Sequence, residues 1–408
     1  MIEILIGSVV IILLILLLTA ALLAARARLV PKGAALVRVN GGLEIAAQRG
    51  ETLLSVLHGA GLGIPAGCGG NGTCGLCRVH ATGAGAGEAQ ATEKGVLLAR
   101  ERRDHLRLAC QVTVRGPVDV TVPEDLLSVE TLSCQVISNR MLAPLIRELV
   151  LQLPEGHDFS YHAGNFMQIT APGYALDFAD IEVPKAFSPV WTDSGWRTLT
   201  GHSPRPVTRA YSIANRPEDT EAGRVVFNIR LAVPPPGQEG RIPPGVVSSH
   251  IFSLGAGDRL DISGPYGEFR AQPTEREMVF IGGGVGMAPL RALIHEQVAA
   301  GAPRRMRYFY GARSAIDLFY VDEFDAIAAA HPGFTWEPAL SDPAPGDRWT
   351  GATGFVHERV RAVMSKHPVP EDCEYYLCGP PMMISAVIST LLSLGVERHS
   401  IFNDDFGA

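Results

Sequence analysis

The sequence is poor in charge and in aromatic residues, and it has no excess of basic ones. Only 19% of its residues are charged and 7% are aromatic, and the formal net charge is −7. A net acidic chain has no electrostatic basis for general nucleic-acid affinity, so nucleic acid is excluded as a partner. Intrinsic disorder is excluded as well, because 47% of the residues are hydrophobic and a disordered chain needs low hydrophobicity and high net charge. There is no internal repeat and no low-complexity tract. What remains is a chain of 408 residues, long enough for two or three ordinary cores.

One run without ionisable side chains stands out, Ile4 to Ala25. As a helix it spans roughly 33 Å, enough to cross the hydrocarbon core of a bilayer. No basic region precedes it, which argues against a cleaved signal peptide. Arg26, Arg28, Lys32 and Arg38 follow it with no acid before Glu44, a bias that keeps the carboxyl side in the cytoplasm. Residues 2–25 therefore read as a single retained transmembrane helix with its N-terminus outside. This segment also accounts for the positive mean hydropathy of +0.15; the rest of the chain averages near zero.

Three composition zones follow. Residues 34–125 open with Asn40-Gly41 between two short apolar runs, a hairpin signal, and Thr52–His58 reads as a short helix ended by Gly59. Residues 130–270 alternate β-rich runs (Cys134–Ser138, Phe166–Thr170, Val225–Leu231) with Pro and Gly turns, the pattern of an antiparallel barrel or sandwich. Residues 277–408 change to apolar strand, glycine turn and helix, which predicts a doubly wound parallel sheet. The linkers fall at Pro123–Leu132 and Ala271–Glu277. The fold class is multidomain, α+β followed by α/β.

Seven cysteines are present, and an odd, clustered set reads as metal ligation rather than a disulfide framework. Four follow the spacing Cys68-x5-Cys74-x2-Cys77-x32-Cys110. Structural zinc usually needs two short hooks, and this segment has one. No histidine stands at a ligand spacing, which argues against a Rieske centre. Gly67, Gly69, Gly70, Gly72 and Gly75 crowd the first three cysteines, so the backbone can wrap N–H groups around sulfur. The segment resembles [2Fe–2S] ferredoxin domains of the adrenodoxin and bacterial type, which implies a [2Fe–2S] cluster on Cys68, Cys74, Cys77 and Cys110. Zinc stays as the rival.

Arg209-Ala210-Tyr211-Ser212 lies on a predicted strand of the β zone. Alone the motif is too short to mean much. Its place directly before an α/β zone resembles the ferredoxin–NADP reductase superfamily. That resemblance implies FAD rather than FMN, with Arg209 on a flavin phosphate, Ala210 beside it, Tyr211 packed on the isoalloxazine and Ser212 near N5. Phe227-Asn228-Ile229-Arg230 and Gly245-Val246-Val247-Ser248-Ser249 match its next flavin segments, the second opening a helix whose amides can face pyrophosphate. Asn228, Arg230, Gly245, Val246, Val247 and Ser248 are the implied contacts, and Gly264–Phe269 closes the domain in the same order.

Ile281-Gly282-Gly283-Gly284-Val285-Gly286-Met287-Ala288-Pro289 follows a strand and opens a helix, with Pro289 where a third fingerprint glycine would stand. Glycines here let amides approach a pyrophosphate. By the same resemblance NADH binds at Gly283, Gly284, Gly286 and Met287, and Cys378, Gly379 and Pro380 of the turn Cys378-Gly379-Pro380-Pro381-Met382 sit against its nicotinamide. Phe406, near the chain end, covers the flavin face. Ser212, Cys378 and Phe406 are the implied catalytic residues; Cys134 and Cys373 read as core residues.

Over essentially all 408 residues, the order of anchor, ferredoxin, flavin and nicotinamide modules resembles the F subunits of sodium-translocating NADH:quinone oxidoreductases. Soluble oxygenase reductases share the last three modules but lack the anchor. The resemblance implies an electron-input subunit in the bacterial inner membrane, single-pass, with cytoplasmic catalytic domains. Its partners would be NADH, the other membrane subunits of the same complex and, through them, quinone. Two other readings stay open: a reductase feeding a membrane oxygenase, and a non-catalytic carrier. NADPH also stays open, because Arg313 and Ser314 suit a 2′-phosphate. The insertion from Pro172 to Thr208, with Trp191 and Trp196, is either a solvated excursion or a docking surface.

Overall fold

Strand and helix positions follow the hydrophobic pattern closely enough that the chemistry-bearing turns can be located from it. The computed structural model describes residues 6, 12–19, 21, 33–123, 126, 131–157, 159–301 and 304–405. Within the expected anchor, residues 6, 12–19 and 21 are helical, and the remainder of segment 2–25 lies outside the described residues, as does Phe406. Among the described residues no helix is long and apolar enough to cross a membrane. The chain divides into two compact units, one ending at Ser128 and one running from Val129 to Ala408, with residues 65–69 grouped in the second.

The first unit carries a five-stranded mixed sheet in the order Leu43–Gln48, Ala34–Val39, Val118–Thr121, Arg78–Thr82, Leu106–Leu108. Alternate residues of Ala34–Val39 are buried, as a strand with one face on a core requires. Its hairpin turns at Asn40 and Gly41, both with positive φ (49° and 71°), the backbone that Asn-Gly tolerates best. Helix Leu53–Gly59 is capped by Thr52, whose hydroxyl accepts from the Ser55 amide at 3.2 Å, and it buries Leu53, Leu54, Val56 and Leu57.

In the second unit an antiparallel six-stranded sheet runs Val207–Ser212, Phe166–Ala171, Arg259–Tyr266, Thr131–Ala143, Ile146–Gln152, Arg224–Arg230. A bridge between Ile213 and Phe227 joins the chain at its two edges, so the sheet closes as a barrel around Leu149, Ile169 and Phe227. The insertion is no solvated excursion. It forms a two-stranded sheet, Tyr174–Asp177 with Thr200–Ser203, and drives Phe178 and Trp191 fully into the barrel core. The Trp191 indole N–H donates to the Pro144 carbonyl at 2.6 Å, the partner a buried indole needs.

The remainder of the second unit is a parallel six-stranded sheet ordered Ala352–Thr353, Phe334–Leu340, Met306–Ala312, Met278–Gly283, Glu374–Gly379, Ile401–Asp405. Successive strands step outward in one direction from Met278–Gly283 and then resume on its other side at Glu374–Gly379. The topological switch point lies between those two strands, where open α/β sheets bind ligands. Four strands and helices of this domain go beyond the sequence expectation: strand Phe334–Leu340, strand Ala352–Thr353, helix Val356–Met364 and strand Ile401–Asp405. Pro338 masks the first; it is tolerated because at that residue only the flank toward Tyr310 is paired.

Candidate functional site

Four glycines hold the cysteine loop in shape. Gly69, Gly70, Gly72 and Gly75 have φ between +63° and +94°, backbone that side-chain-bearing residues rarely adopt. At Gly72 a Cβ would also stand 2.7 Å from the Gln111 amide group. That amide donates to the Gly70 carbonyl at 3.1 Å and to Cys110 Sγ at 3.4 Å, so Gln111 ties Cys110 to the loop leading to Cys74 and Cys77. Cys77 lies in hydrogen-bond contact with Cys110 and near Cys74, and with burial these neighbours push its thiol up. None of the seven cysteines forms a disulfide. Three grouped thiols, Cys74, Cys77 and Cys110, with an N–H donor on one sulfur suit an iron–sulfur cluster, whose charge such donors stabilise.

A buried ion pair supports the strand leading to Cys110. Arg107 and Glu93 make two parallel bonds of 2.9 Å, and Arg107 also donates to the Gly87 and Glu88 carbonyls. Burial alone would raise the Glu93 carboxyl, but Arg107 and the Gln90 and Leu108 amides bring it below the ordinary value. Two residues beyond Arg107, the Ala109 amide donates to the Cys77 carbonyl at 2.8 Å.

At the switch point both predicted turns abut. A Cβ on Gly286 would meet the Cys378 carbonyl oxygen at 1.9 Å, so only glycine lets the turn after Met278–Gly283 approach the end of Glu374–Gly379. Gly284 has φ +57°, and helix Met287–Ala299 starts directly beyond. A cavity of about 1100 Å³ opens there, lined by Gly283, Gly284, Arg230, Arg313, Ser314, Asp342, Pro380 and Met382 among others. Val190 and Trp196 of the insertion line it too. Met287 is fully buried and its sulfur accepts from Tyr308 at 3.2 Å, which leaves only its backbone for a ligand.

On the barrel side, Arg209 donates to the Thr208 carbonyl at 2.8 Å and pairs no carboxylate among the described residues, which suits an anion. Asn228 is 4% exposed; its Nδ2 donates to Tyr320, while its buried Oδ1 has no partner, an acceptor that fits an N–H of a flavin ring. Ser248, in the first turn of helix Val246–Ser253, donates its hydroxyl to the Gly245 carbonyl and accepts from the Ala232 amide. The first-turn amides of helix Val246–Ser253 have no intrahelical acceptor and suit pyrophosphate.

Ser212 and Cys378 meet through a residue that sequence reasoning missed. Asp404 is the register partner of Cys378 in the parallel pair, and its carboxylate accepts from Ser212 Oγ at 3.2 Å. The signal lay in Ile401-Phe402 after a short turn, readable as one more strand of the sheet.

Comparison with known proteins places three families on the chain. Residues 37–115 match the 2Fe-2S iron-sulfur cluster binding domain, residues 198–271 the oxidoreductase FAD-binding domain and residues 280–388 the oxidoreductase NAD-binding domain. The chain is 44% identical to the F subunit of the Na(+)-translocating NADH-quinone reductase of Methylococcus capsulatus, covering 100% of both chains. It is 43% identical to that of Neisseria meningitidis, over 99% of this chain and 100% of that one. Among solved structures it resembles an Amycolatopsis cytochrome P450 reductase, GcoB, at 26% identity and TM-score 0.61, covering 91% of this chain and 98% of that chain. A ferredoxin reductase of carbazole 1,9a-dioxygenase shares the fold at 21% identity and TM-score 0.59, over 92% and 99%.

Proposed function

The chain belongs to the F-subunit family of the Na(+)-translocating NADH-quinone reductases, and from that premise we propose that it is the electron-input subunit of such an enzyme. NADH gives up a hydride to FAD, and electrons then leave one at a time through the [2Fe–2S] cluster to partner subunits and finally quinone. Flavin accepts two electrons and passes them on singly, which is the chemical reason to join it to a one-electron cluster. The observation that carries this reading is the convergence of Ser212, Asp404 and Cys378 at the switch point, beside the glycine turn at Gly284–Gly286.

The protein's part is binding and orientation. Arg209 holds a flavin phosphate, Tyr211 packs on the ring and Ser212 faces N5, while the amides of Gly245–Ser248 face the pyrophosphate. The amides at Gly283, Gly284, Gly286 and Met287 receive the NADH pyrophosphate. Cys378, Gly379 and Pro380 orient the nicotinamide, and Phe406 covers the flavin until NADH displaces it. Cys68, Cys74, Cys77 and Cys110 hold the cluster within 34–125, with the flavin domain at 130–270 and the NADH domain at 277–408.

Residues 2–25 anchor the chain once in the bacterial inner membrane, N-terminus out, and the catalytic domains face the cytoplasm beside the other membrane subunits. Ion paths through membranes usually carry ionisable residues. Segment Ile4–Ala25 has none, so this chain itself carries no Na⁺. Co-purification with its membrane partners tests the reading. NADH-driven quinone reduction should require the partners and rise with Na⁺; quinone reduction indifferent to both would overturn it.

A further inference from the structure

Tyr320 ties the nicotinamide half to the flavin barrel through bonds that the proposed chemistry does not itself use. It precedes helix Val321–Ala330 with φ +58°, a left-handed backbone unusual for a bulky side chain. Such a conformation persists where the surroundings over-determine it. Its hydroxyl donates to Glu148 Oε2 at 2.5 Å and accepts from Asn228 Nδ2 at 2.8 Å. Glu148 and Asn228 face each other across the barrel strands Ile146–Gln152 and Arg224–Arg230, so the phenol docks on one cross-strand pair.

The ring of Tyr320 is held as firmly as its hydroxyl. The Arg291 guanidinium lies over it, 4.3 Å from the centroid, a cation–π contact in a buried setting. Arg291 belongs to helix Met287–Ala299, the helix that opens at the glycine turn. It pairs with both Glu323 oxygens at 2.6 and 2.7 Å, and it donates to the Ala214 carbonyl at 2.6 Å, two residues beyond Ser212. One connected set of bonds therefore spans the pyrophosphate-facing helix, the segment after Ser212 and two barrel strands.

We propose that Tyr320 is a positioning residue, which sets the Met287–Ala299 helix, and with it bound NADH, against the flavin barrel at hydride-transfer distance. Misplacement of a reacting group by about 1 Å can cost about a hundredfold in rate, so a half-buried phenol bridging the two halves controls the chemical step without touching the reactants. This inference rests on NADH reducing the flavin at the switch point.

The test uses the full chain loaded with FAD and cluster. Tyr320→Phe keeps the ring beneath Arg291 and removes both hydroxyl bonds. Stopped-flow mixing should show flavin reduction at saturating NADH slowed about tenfold or more, with the NADH dissociation constant within about twofold of wild type. Amide exchange should quicken at 213–216 and 284–291. Glu148→Ala should act in the same direction and Glu148→Gln less, which keeps the proposal testable if the tyrosine variant fails to fold. A wild-type limiting rate and wild-type exchange in Tyr320→Phe or Glu148→Ala would overturn it. So would a loss confined to NADH affinity or to thermal stability. Failure of NADH to reduce the wild-type flavin would instead overturn the underlying function.

Discussion

Ser212 and Asp404, 192 positions apart, meet through a 3.2 Å hydrogen bond that joins the last residue of a barrel strand to the final strand of the parallel sheet. Asp404 also stands beside Cys378 in register. A hydroxyl that donates its one hydrogen to a carboxylate presents its oxygen lone pairs to a reacting nitrogen in a fixed orientation, and positioned proton donors or acceptors contribute about 10²–10⁴ in rate. Ser212→Ala should therefore slow flavin reduction by NADH about a hundredfold while leaving FAD content unchanged. Asp404→Asn keeps a hydrogen-bond acceptor and should cost less than Asp404→Ala. Rapid-mixing absorbance measures both; equal rates in all three variants would remove this pair from the chemical step.

The cluster ligands separate the two halves of the electron path. Replacing Cys74 by Ala removes one of the four thiols without touching the switch point. NADH oxidation with ferricyanide should largely survive, and transfer to the membrane partners should stop. Loss of both activities, in protein that retains its FAD, would overturn the proposed order of carriers.

The fold was legible wherever hydrophobic period and turn chemistry agreed. The Asn40-Gly41 hairpin and the glycine turns at Gly284 and Gly379 carry their conformation in their composition, because few other residues reach those backbone angles, and the barrel strands show in their β-rich runs between Pro and Gly turns. Asp404, Tyr320 and Gln111 carry no such mark. An acid near a chain end, a tyrosine before a helix and a glutamine after a cysteine are ordinary locally; only long-range register gives them partners. Trp191 was misleading in the opposite sense. A tryptophan in an insertion suggests a docking surface, yet its indole is fully buried, because the insertion packs its own apolar residues onto the barrel.

Glu93 gives the ferredoxin unit an acid-sensitive joint. Its folded carboxyl titrates below the ordinary value, so the charged form is favoured by folding. That contribution is complete above the unfolded carboxyl pKa, about 4.3, and is lost as pH falls through the lower folded value. Glu93→Ala strands a buried Arg107 and should cost about 3–5 kcal/mol. Thermal melts of the cluster absorbance should show wild type losing stability below about pH 4.3, with a flatter dependence in Glu93→Gln. Parallel pH profiles would show that the pair is not the acid-sensitive element.

Coenzyme choice turns on the cavity end where Arg313 and Ser314 stand. Both are already engaged by acids. Arg313 Nε lies 3.4 Å from Asp342 Oδ2, and the Ser314 hydroxyl and amide both bond Asp317 Oδ2, at 2.9 and 3.1 Å. Asp342 and Asp317 line the same cavity. A 2′-phosphate placed there would meet carboxylates before it met a spare cation, and like charges brought together are a strong device for rejecting the wrong ligand. NADH should therefore be preferred through repulsion of its phosphorylated analogue rather than through tighter contacts of its own. Asp342→Asn removes one negative charge and releases the Arg313 fork, which suits phosphate. In that variant kcat/KM with NADPH should rise about tenfold relative to NADH, equivalent to about 1.4 kcal/mol, with the NADH rate little changed. Because both side chains are exposed (79% and 70%), the gain should shrink as ionic strength rises. A ratio that stays at the wild-type value at low salt would move the source of selectivity away from Asp342.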